Sequence, residues 1–546
     1  MTERNITPMK LSVLANLYGS KTLDETLSIL TGLGVHTVEL GAGDRPLPCI
    51  RRYRQMKRFL SLFLSLTLLA TGLCACTPDG QGTDTTAKDT TEPATGDVTE
   101  APTDTPTDGV TEEPTEPPTE EVTRDPAEVE AEKQAAMKEI YDSTPMHQLP
   151  IGGWSTPASA LRDGYTEVEG SYDAVWQTLA ESGLNYMITL EEWSSGSWPL
   201  ESLSSAKKAG MKLWYNCAGM AADYNAEKIS ALLNSPDADA LAAIYVKDEP
   251  SFDGIGETAD LIAAARETLG DTSLPVLANL LPTYANSSWA GGNYRKYVST
   301  YLEDAKPDLL MFDFYPYQKG SDNLPNLAAN LAIIREEAEA AGVPFYAYVQ
   351  TSADGTYREP TVEELQLNAH LTLAMGAKGI AYFLICEHYE GWAYSNMITA
   401  KGEKTPLFDT VQTVNGRLNA MKGVYLDYDC KGVIFCNYKG MSNALAKAKC
   451  TTELESHRSL TAASCNQRDK FAIGCFENAA GETGYYIVNL NYKGAGTVEL
   501  TFDGSVDYRL WSGEGLTDIG TTSALQLKLE AGEGVFLQVD PTNANP

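Results

Sequence analysis

Histidine is scarce in this chain, with five in 546 residues, and no two cysteines stand in a Cys-x2-Cys pair. The first shortage argues against a histidine-rich metal centre, and the second excludes zinc-ribbon spacing. No Gly-x-Gly-x-x-Gly follows the first strand candidate, and no Asp-x-[Asp/Asn]-x-[Asp/Asn]-Gly loop occurs, so neither a dinucleotide nor a calcium loop is signalled. No cofactor and no metal are expected. Basic residues are outnumbered, 41 Lys and Arg against 74 Asp and Glu, for a net charge of -33. That balance excludes nucleic acid and anionic lipid as electrostatic partners. Ten cysteines are present, five of them in the last 120 residues; an odd number there permits no complete disulfide set.

Length leaves room for two or three domains, and the composition shifts along the chain mark where they fall. Arg51, Arg52, Arg54, Lys57 and Arg58 precede the apolar run Phe59–Leu73, which is short for a spanning helix, and then Leu73-Cys74-Ala75-Cys76. Residues 56–76 read as an export signal, and Leu-x-Ala-Cys resembles the bacterial lipobox. The resemblance implies acylation of Cys76 and a mature chain that is extracytoplasmic, held at the bacterial cell surface by a lipid in the membrane. Upstream, residues 9–46 resemble the opening βαβ unit of xylose-isomerase-like sugar epimerase barrels, including Gly34-Val-His-Thr-Val-Glu-Leu-Gly-Ala-Gly43. So short a piece cannot bury a core, and residues 1–55 are expected to contribute nothing to function. Residues 77–126 carry fourteen acidic and two basic residues among Thr, Pro and Gly. Such a stretch cannot offset its ordering entropy and is expected to be a disordered, extended linker.

Residues 127–424, after an N-terminal helix, alternate apolar strand candidates with helices. The strands are read at Pro150–Trp154, Leu184–Leu190, Met211–Cys217, Leu241–Val246, Pro275–Leu280, Leu309–Phe314, Pro344–Gln350 and Gly379–Ile385. Eight near-continuously apolar strands in about 240 residues predict an α/β fold, a (β/α)8 TIM barrel. Residues 425–546 change to short alternating runs split by Gly, Asn and Asp, and predict an antiparallel β-sandwich domain.

Active sites of such barrels sit at the C-terminal strand ends. There the chain offers Trp154, Trp193, Asn216, Asp248 with Glu249, Asn279, Asp313 with Tyr315 and Tyr317, Tyr348 with Gln350, and Glu387 with His388 and Trp392. Aromatic faces suit the C–H surface of a sugar, and amides and acids suit its hydroxyls. Blander roles exist for several: Asp248 as a helix N-cap, Glu249 as surface charge, Asp313 in a strand-end turn, Glu387 and His388 as loop polar groups. His370 is read as structural, and Cys217 and Cys386 as core.

Asp248-Glu249-Pro250 resembles the Asn-Glu-Pro of clan-A glycoside hydrolases, and the barrel followed by a β-domain is similar to the family-42-like members. The resemblance spans residues 148–541 in architecture and only a few residues in motif. It implies that Glu249 is the acid/base, partly desolvated so that it holds its proton. Clan-A enzymes carry a nucleophilic Glu at the end of strand 7, where this chain has Gln350. Glu387, Asp313 and Asp248 are the replacement candidates, and carboxyl separation decides between retaining and inverting outcomes. Three functions compete: an O-glycosyl hydrolase, a non-catalytic glycan-binding lipoprotein, and a sugar isomerase. The last needs several metal ligands at the strand ends, where only His388 stands out.

Overall fold

In the computed structural model, residues 125–157, 171–189, 199–217, 224–285, 289–387 and 393–541 are described. Cys76, Trp193, His388 and Trp392 lie outside them, as do the N-terminal fragment, the export signal and residues 77–124 of the linker. Asp125 caps helix α1 (Pro126–Ser143), its carboxylate accepting from the Ala127 N–H, and Pro126 fills the first helical turn, where a missing N–H costs nothing. No described helix is long and apolar enough to cross a membrane.

From there strands and helices alternate: β1 (Ile151–Trp154), α2 (Ser171–Glu181), β2 (Tyr186–Ile188), α3 (Pro199–Lys208), β3 (Lys212–Asn216), α4 (Ala226–Leu233) and β4 (Leu241–Asp248). The series continues with α5 (Ile255–Leu269), β5 (Val276–Leu280), α6 (Tyr294–Ala305), β6 (Leu310–Phe312), a small hairpin β7 (Tyr317–Gln318) and β8 (Ser321–Asp322), and α7 (Leu324–Ala341). It ends with β9 (Phe345–Gln350), α8 (Val362–Ala374), β10 (Gly379–Phe383) and α9 (Pro406–Ala420). The parallel strands β1, β2, β3, β4, β5, β6, β9 and β10 close into a barrel, β10 pairing with β1. All eight coincide with the apolar runs of the sequence. The hairpin β7–β8 was not signalled, because its two-residue strands are too short to show a period.

The barrel interior combines aromatic rings with aliphatic side chains such as Ile188, Leu277, Leu309 and Met311. Tyr186 stacks on Trp214 at 4.3 Å, and Trp214 leans on Tyr346 at 5.8 Å. Glycines make the space: a Cβ on Gly152 would lie 2.2 Å from the Tyr186 ring, and one on Gly379 would lie 2.4 Å from Tyr346. Helix α8 starts with a capping box between Thr361 and Glu364, and Glu364 also receives both arms of Arg358.

The second domain follows with β11 (Tyr428–Cys436), α10 (Lys439–Lys447), β12 (Leu460–Cys465), β13 (Phe471–Asn478), β14 (Thr483–Asn489), β15 (Gly496–Ser512), β16 (Gly515–Leu529) and β17 (Gly534–Pro541). These strands form the expected antiparallel domain, with the order β11-β13-β14-β17-β15-β12 and β16 beside β15. Its layers are joined by one long strand, β15, which runs on without a break through residues 503–505. The first half of β15 pairs with β12 and the second with β17, the register shifting between Thr501 and Val506. Strand β12 escaped notice because little of it is buried beyond Leu460.

Alternate residues of the central strands face opposite ways. Phe471, Ile473, Cys475, Tyr485 and Ile487 line the interior of the β-domain. Ala472, Phe476, Tyr486, Val488 and Phe536 join the barrel's outer core instead. There Gly474 lies so close to α8 that a Cβ would stand 2.1 Å from the carbonyl oxygen of Ala374. The Tyr486 hydroxyl meets His370 Nδ1 at 2.8 Å, and burial drives the His370 pKa down to about 3, so this imidazole is neutral and structural.

Candidate active site

Strand β4 does not run straight into its last residues. Its register against β5 shifts between Tyr245 and Lys247, which sets Asp248 opposite Asn279. Glu249 then turns into the left-handed region at φ 46°, an unusual place for a side chain with a Cβ. Its backbone is held there from both sides: its N–H donates to the Asn279 carbonyl (3.0 Å), and its own carbonyl accepts from Trp289 Nε1 (3.2 Å). Tyr297 secures the next residue by donating to the Pro250 carbonyl at 2.6 Å.

Three carboxyl groups converge around Asn279. Its Nδ2 donates to Asp313 Oδ1 at 3.0 Å and reaches Asp248 Oδ1 at 3.4 Å, and the Tyr245 hydroxyl donates to Asp248 Oδ1 at 2.6 Å. Asp313 and Asn279 are each 2% exposed, whereas Asp248 and Glu249 keep part of their surface open. Burial, then the charges of Asp313 and Asp248 and a side-chain hydrogen bond to Asp313, push Glu249 up to about 9. Burial and the Asp248 charge raise Asp313 to about 7. Asp248 rises only to about 6, because the donors Tyr245 and Asn279 and the nearby Lys247 work against its desolvation. The cluster therefore shares a proton that Glu249, the most strongly raised of the three, holds most tightly. Such a split of protonation states between neighbouring carboxyls suits one acid and one base.

Aromatic rings wall the same end of the barrel. Trp154 contacts Tyr348 and Phe383 at 6.2 and 5.9 Å, Phe383 stacks on Tyr315 at 5.1 Å, and Tyr394 meets Phe383 edge-on at 5.6 Å. Trp154 Nε1 and Asn279 Oδ1 are buried and have no partner among the described residues. Two such atoms at one strand-end rim are polar groups left for something other than the protein. Tyr284, on the loop after β5, leans on Phe314 at 5.8 Å with its side chain 53% exposed. Phe314 follows Asp313 in the chain, which puts the Tyr284 ring near the carboxyl cluster. Tyr284, Trp289 and Tyr394 were not among the residues singled out from sequence. They sit on loops, where no period marks a functional side chain.

Two expected substrate contacts are occupied by the fold instead. Gln350 accepts from the Tyr317 N–H at 2.8 Å and donates to the carbonyls of Tyr317 and Arg358, each at 2.9 Å. The Tyr317 hydroxyl donates to the Glu364 carbonyl at 2.6 Å, and the side chain is fully buried. Both brace the β7–β8 hairpin against β9 and α8, and neither is available to a ligand. Asn216 is buried at the end of β3, its N–H donating to Thr189 Oγ1 at 2.9 Å.

Glu387 lies on the segment that follows β10. Its Oε2 accepts from the Ala400 N–H at 3.0 Å, and it lines a cavity of about 340 Å³ with Glu359, Tyr394, Asn396, Thr399 and Thr405. Tyr394 links the two regions, since Glu249 is among the charges that raise its hydroxyl. Among the described residues no group of three or more His, Cys, Asp or Glu could hold a metal ion.

A barrel with carboxyls at its strand ends and a C-terminal antiparallel domain is the class that fold and site define. No family model matches the chain, and no curated protein does. Among solved structures it is similar to the beta-galactosidase from Bacillus circulans sp. alkalophilus, at 9% identity over 73% of this chain and 100% of that one (TM-score 0.45). Others are the GH51 arabinofuranosidase from Xanthomonas axonopodis pv. citri (10%, 69% and 91%, TM-score 0.37) and the glycoside hydrolase family 30 subfamily 8 xylanase Xyn30A from Clostridium acetobutylicum (10%, 73% and 98%, TM-score 0.38). These neighbours are glycoside hydrolases. At such identities and scores the likeness carries nothing about the chemistry of this site.

Proposed function

We propose that this protein is a glycoside hydrolase in which Glu249 is the general acid and Asp313 its carboxylate partner. The observation that supports it is the raised, proton-holding Glu249 in contact with Asp313 beneath an aromatic rim. In the reaction the Glu249 proton passes to the glycosidic oxygen as the bond to the anomeric carbon breaks. Asp313, ionised, takes a proton from the water that attacks that carbon, so one water is consumed per bond cleaved. In the free protein Asp313 itself contacts Glu249, closer than the roughly 5–9.5 Å between working carboxyls. The glycosidic oxygen must therefore displace Asp313 as the acceptor of the Glu249 proton. Asp248, pinned by Tyr245 and Asn279, adds its charge to the burial and the Asp313 charge that keep Glu249 protonated.

Assay of the purified chain against aryl glycosides and a panel of oligo- and polysaccharides tests the reading. Glu249→Gln and Asp313→Asn are each expected to lower turnover by about 10²- to 10⁴-fold with binding retained. A wild type that binds glycans yet hydrolyses none of them overturns it. That outcome belongs to the second reading, a glycan-binding protein, which draws support from Gln350. In the clan-A pattern that position is the nucleophile's, and here it is a buried brace.

The export signal supports a further placement, a lipoprotein acylated at Cys76 and displayed on the bacterial surface. Expression with radiolabelled palmitate checks it: label is expected in the membrane fraction and lost in Cys76→Ala. An unlabelled wild-type chain in the soluble fraction contradicts the placement.

A further inference from the structure

Strands β11 and β12 are two of the edges of the folded sheet, β16 being another. Sheet edges expose unpaired N–H and C=O groups and are ordinarily covered or closed. One stretch of the β11 edge is covered by the chain itself: the Val433 N–H donates to the Thr452 carbonyl at 2.9 Å, and the Leu454 N–H to the Val433 carbonyl at 2.8 Å. Where β11 and β12 end, the two edges instead meet each other through side chains. The Cys436 thiol donates to the Ala463 carbonyl of β12 at 3.5 Å. Asn437, at φ 55°, reaches back across the same gap. Its Nδ2 donates to the Cys465 carbonyl (3.1 Å), to Cys465 Sγ (3.2 Å) and to the Asn466 carbonyl (2.7 Å).

Cys436 is 6% exposed and Cys465 half-buried; Cys465 Sγ donates to the Asp469 carbonyl at 3.4 Å, and the two thiols stand near enough that each shifts the other. Other described cysteines have different surroundings. Cys430 faces the barrel while Cys475 faces the interior of the β-domain, so the sheet lies between them. Cys450 Sγ accepts from Arg295 at 3.5 Å, and Cys217 and Cys386 are buried in the barrel wall.

We propose that Cys436 and Cys465 form a disulfide that closes the seam between the two edges of the sheet. The oxidant is a small or protein disulfide, as an oxidising compartment supplies. The Cys465 thiolate, the more accessible, attacks that disulfide and releases one of its sulfurs as a thiol. The Cys436 thiolate then displaces the second, forming the Cys436–Cys465 bond. Two protons leave the cysteines, two electrons pass to the oxidant, and the oxidant ends as two thiols. Because the segment so enclosed carries α10 and the cover over Val433, the bond ties both to the sheet. The proposal is independent of the hydrolase reading.

The test is a redox titration of the full purified chain with oxidised glutathione. Burial holds the Cys436 thiol up at about 12, so a long incubation at mildly alkaline pH is needed. After alkylation and non-reducing digestion, mass spectrometry should find one cross-linked peptide pair holding Cys436 and Cys465, two hydrogens lighter than the reduced pair and split by dithiothreitol. In Cys436→Ser, the same treatment should leave glutathione on Cys465 and no internal cross-link. Should that variant fail to fold, Cys465→Ser serves, with the cross-link absent and Cys436 alkylated once the chain is denatured. Free, alkylated Cys436 and Cys465 in the oxidised wild type, or a cross-link to another cysteine, overturns the proposal. So does an unfolding midpoint that is identical in the oxidised and reduced wild type, since a bond that closes the seam must raise it.

Discussion

Replacing Glu249 by Gln should make the protein more stable, increasingly so as the pH rises. The folded-state pKa of Glu249 is about 9 against 4.5 for the unperturbed group. Below about 4.5 both folded and unfolded chains hold the proton, and the site costs nothing. Between the two values the unfolded chain has released it while the folded chain has not. Unfolding then releases a proton, and stability falls with each step in pH until the loss is complete above about 9. A rise of that size corresponds to at most roughly 6 kcal/mol. Water at the open barrel mouth screens part of it, so about 3 kcal/mol is the working figure. Gln has the same shape and no proton to lose. Denaturant midpoints of wild type and Glu249→Gln at about pH 5, 7 and 9 measure the gap. The curves should nearly meet at the lowest pH and separate at the highest, with the variant above the wild type. A gap that stays constant across that range would refute the account of Glu249 as a desolvated, proton-holding acid.

Asp248→Asn removes one of the charges that raise Glu249, so the alkaline limb of a pH–rate profile should move down by roughly one unit; an unmoved limb separates Asp248 from the acid. Tyr284→Ala removes the exposed ring beside the cluster and is expected to raise KM about 3- to 10-fold with kcat little changed, measured by steady-state kinetics. Gln350→Glu aims an oxygen at the carbonyls of Tyr317 and Arg358; it should cost about 2–4 kcal/mol in denaturant unfolding and add no activity. Gly474→Ala drives a methyl into the Ala374 carbonyl and should destabilise by about 2 kcal/mol or more, seen as a lower unfolding midpoint.

The barrel was legible because its strands are buried on both faces, so each appears as an apolar run bounded by turns. Leu241–Val246 followed by Asp248 and Glu249 is the clearest case, and Leu309–Phe314 around Asp313 the next. What could not be read is what depends on register and on loops. The shift between Tyr245 and Lys247 that turns Asp248 toward Asn279 leaves no mark in the residue pattern. Gln350 looked like a polar group at a strand end, and only the hairpin it braces explains its role. Tyr284 lies in a segment without period, brought to Glu249 by the pairing of β4 with β5 rather than by nearness in the chain. Strand β12 is mostly solvent-facing, so alternation was too faint to reveal it.

The contact of β13, β14 and β17 with α8 has a consequence for ancestry and for engineering. One module's floor is the other's outer wall, down to a glycine that admits no methyl. A gene that lost the C-terminal segment would leave Leu367, His370 and their neighbours facing water, and a transplanted C-terminal module would arrive with Tyr486 and Phe536 bare. The two halves are therefore expected to be inherited together, and any chimera that parts them must also rewrite the exposed faces with polar residues.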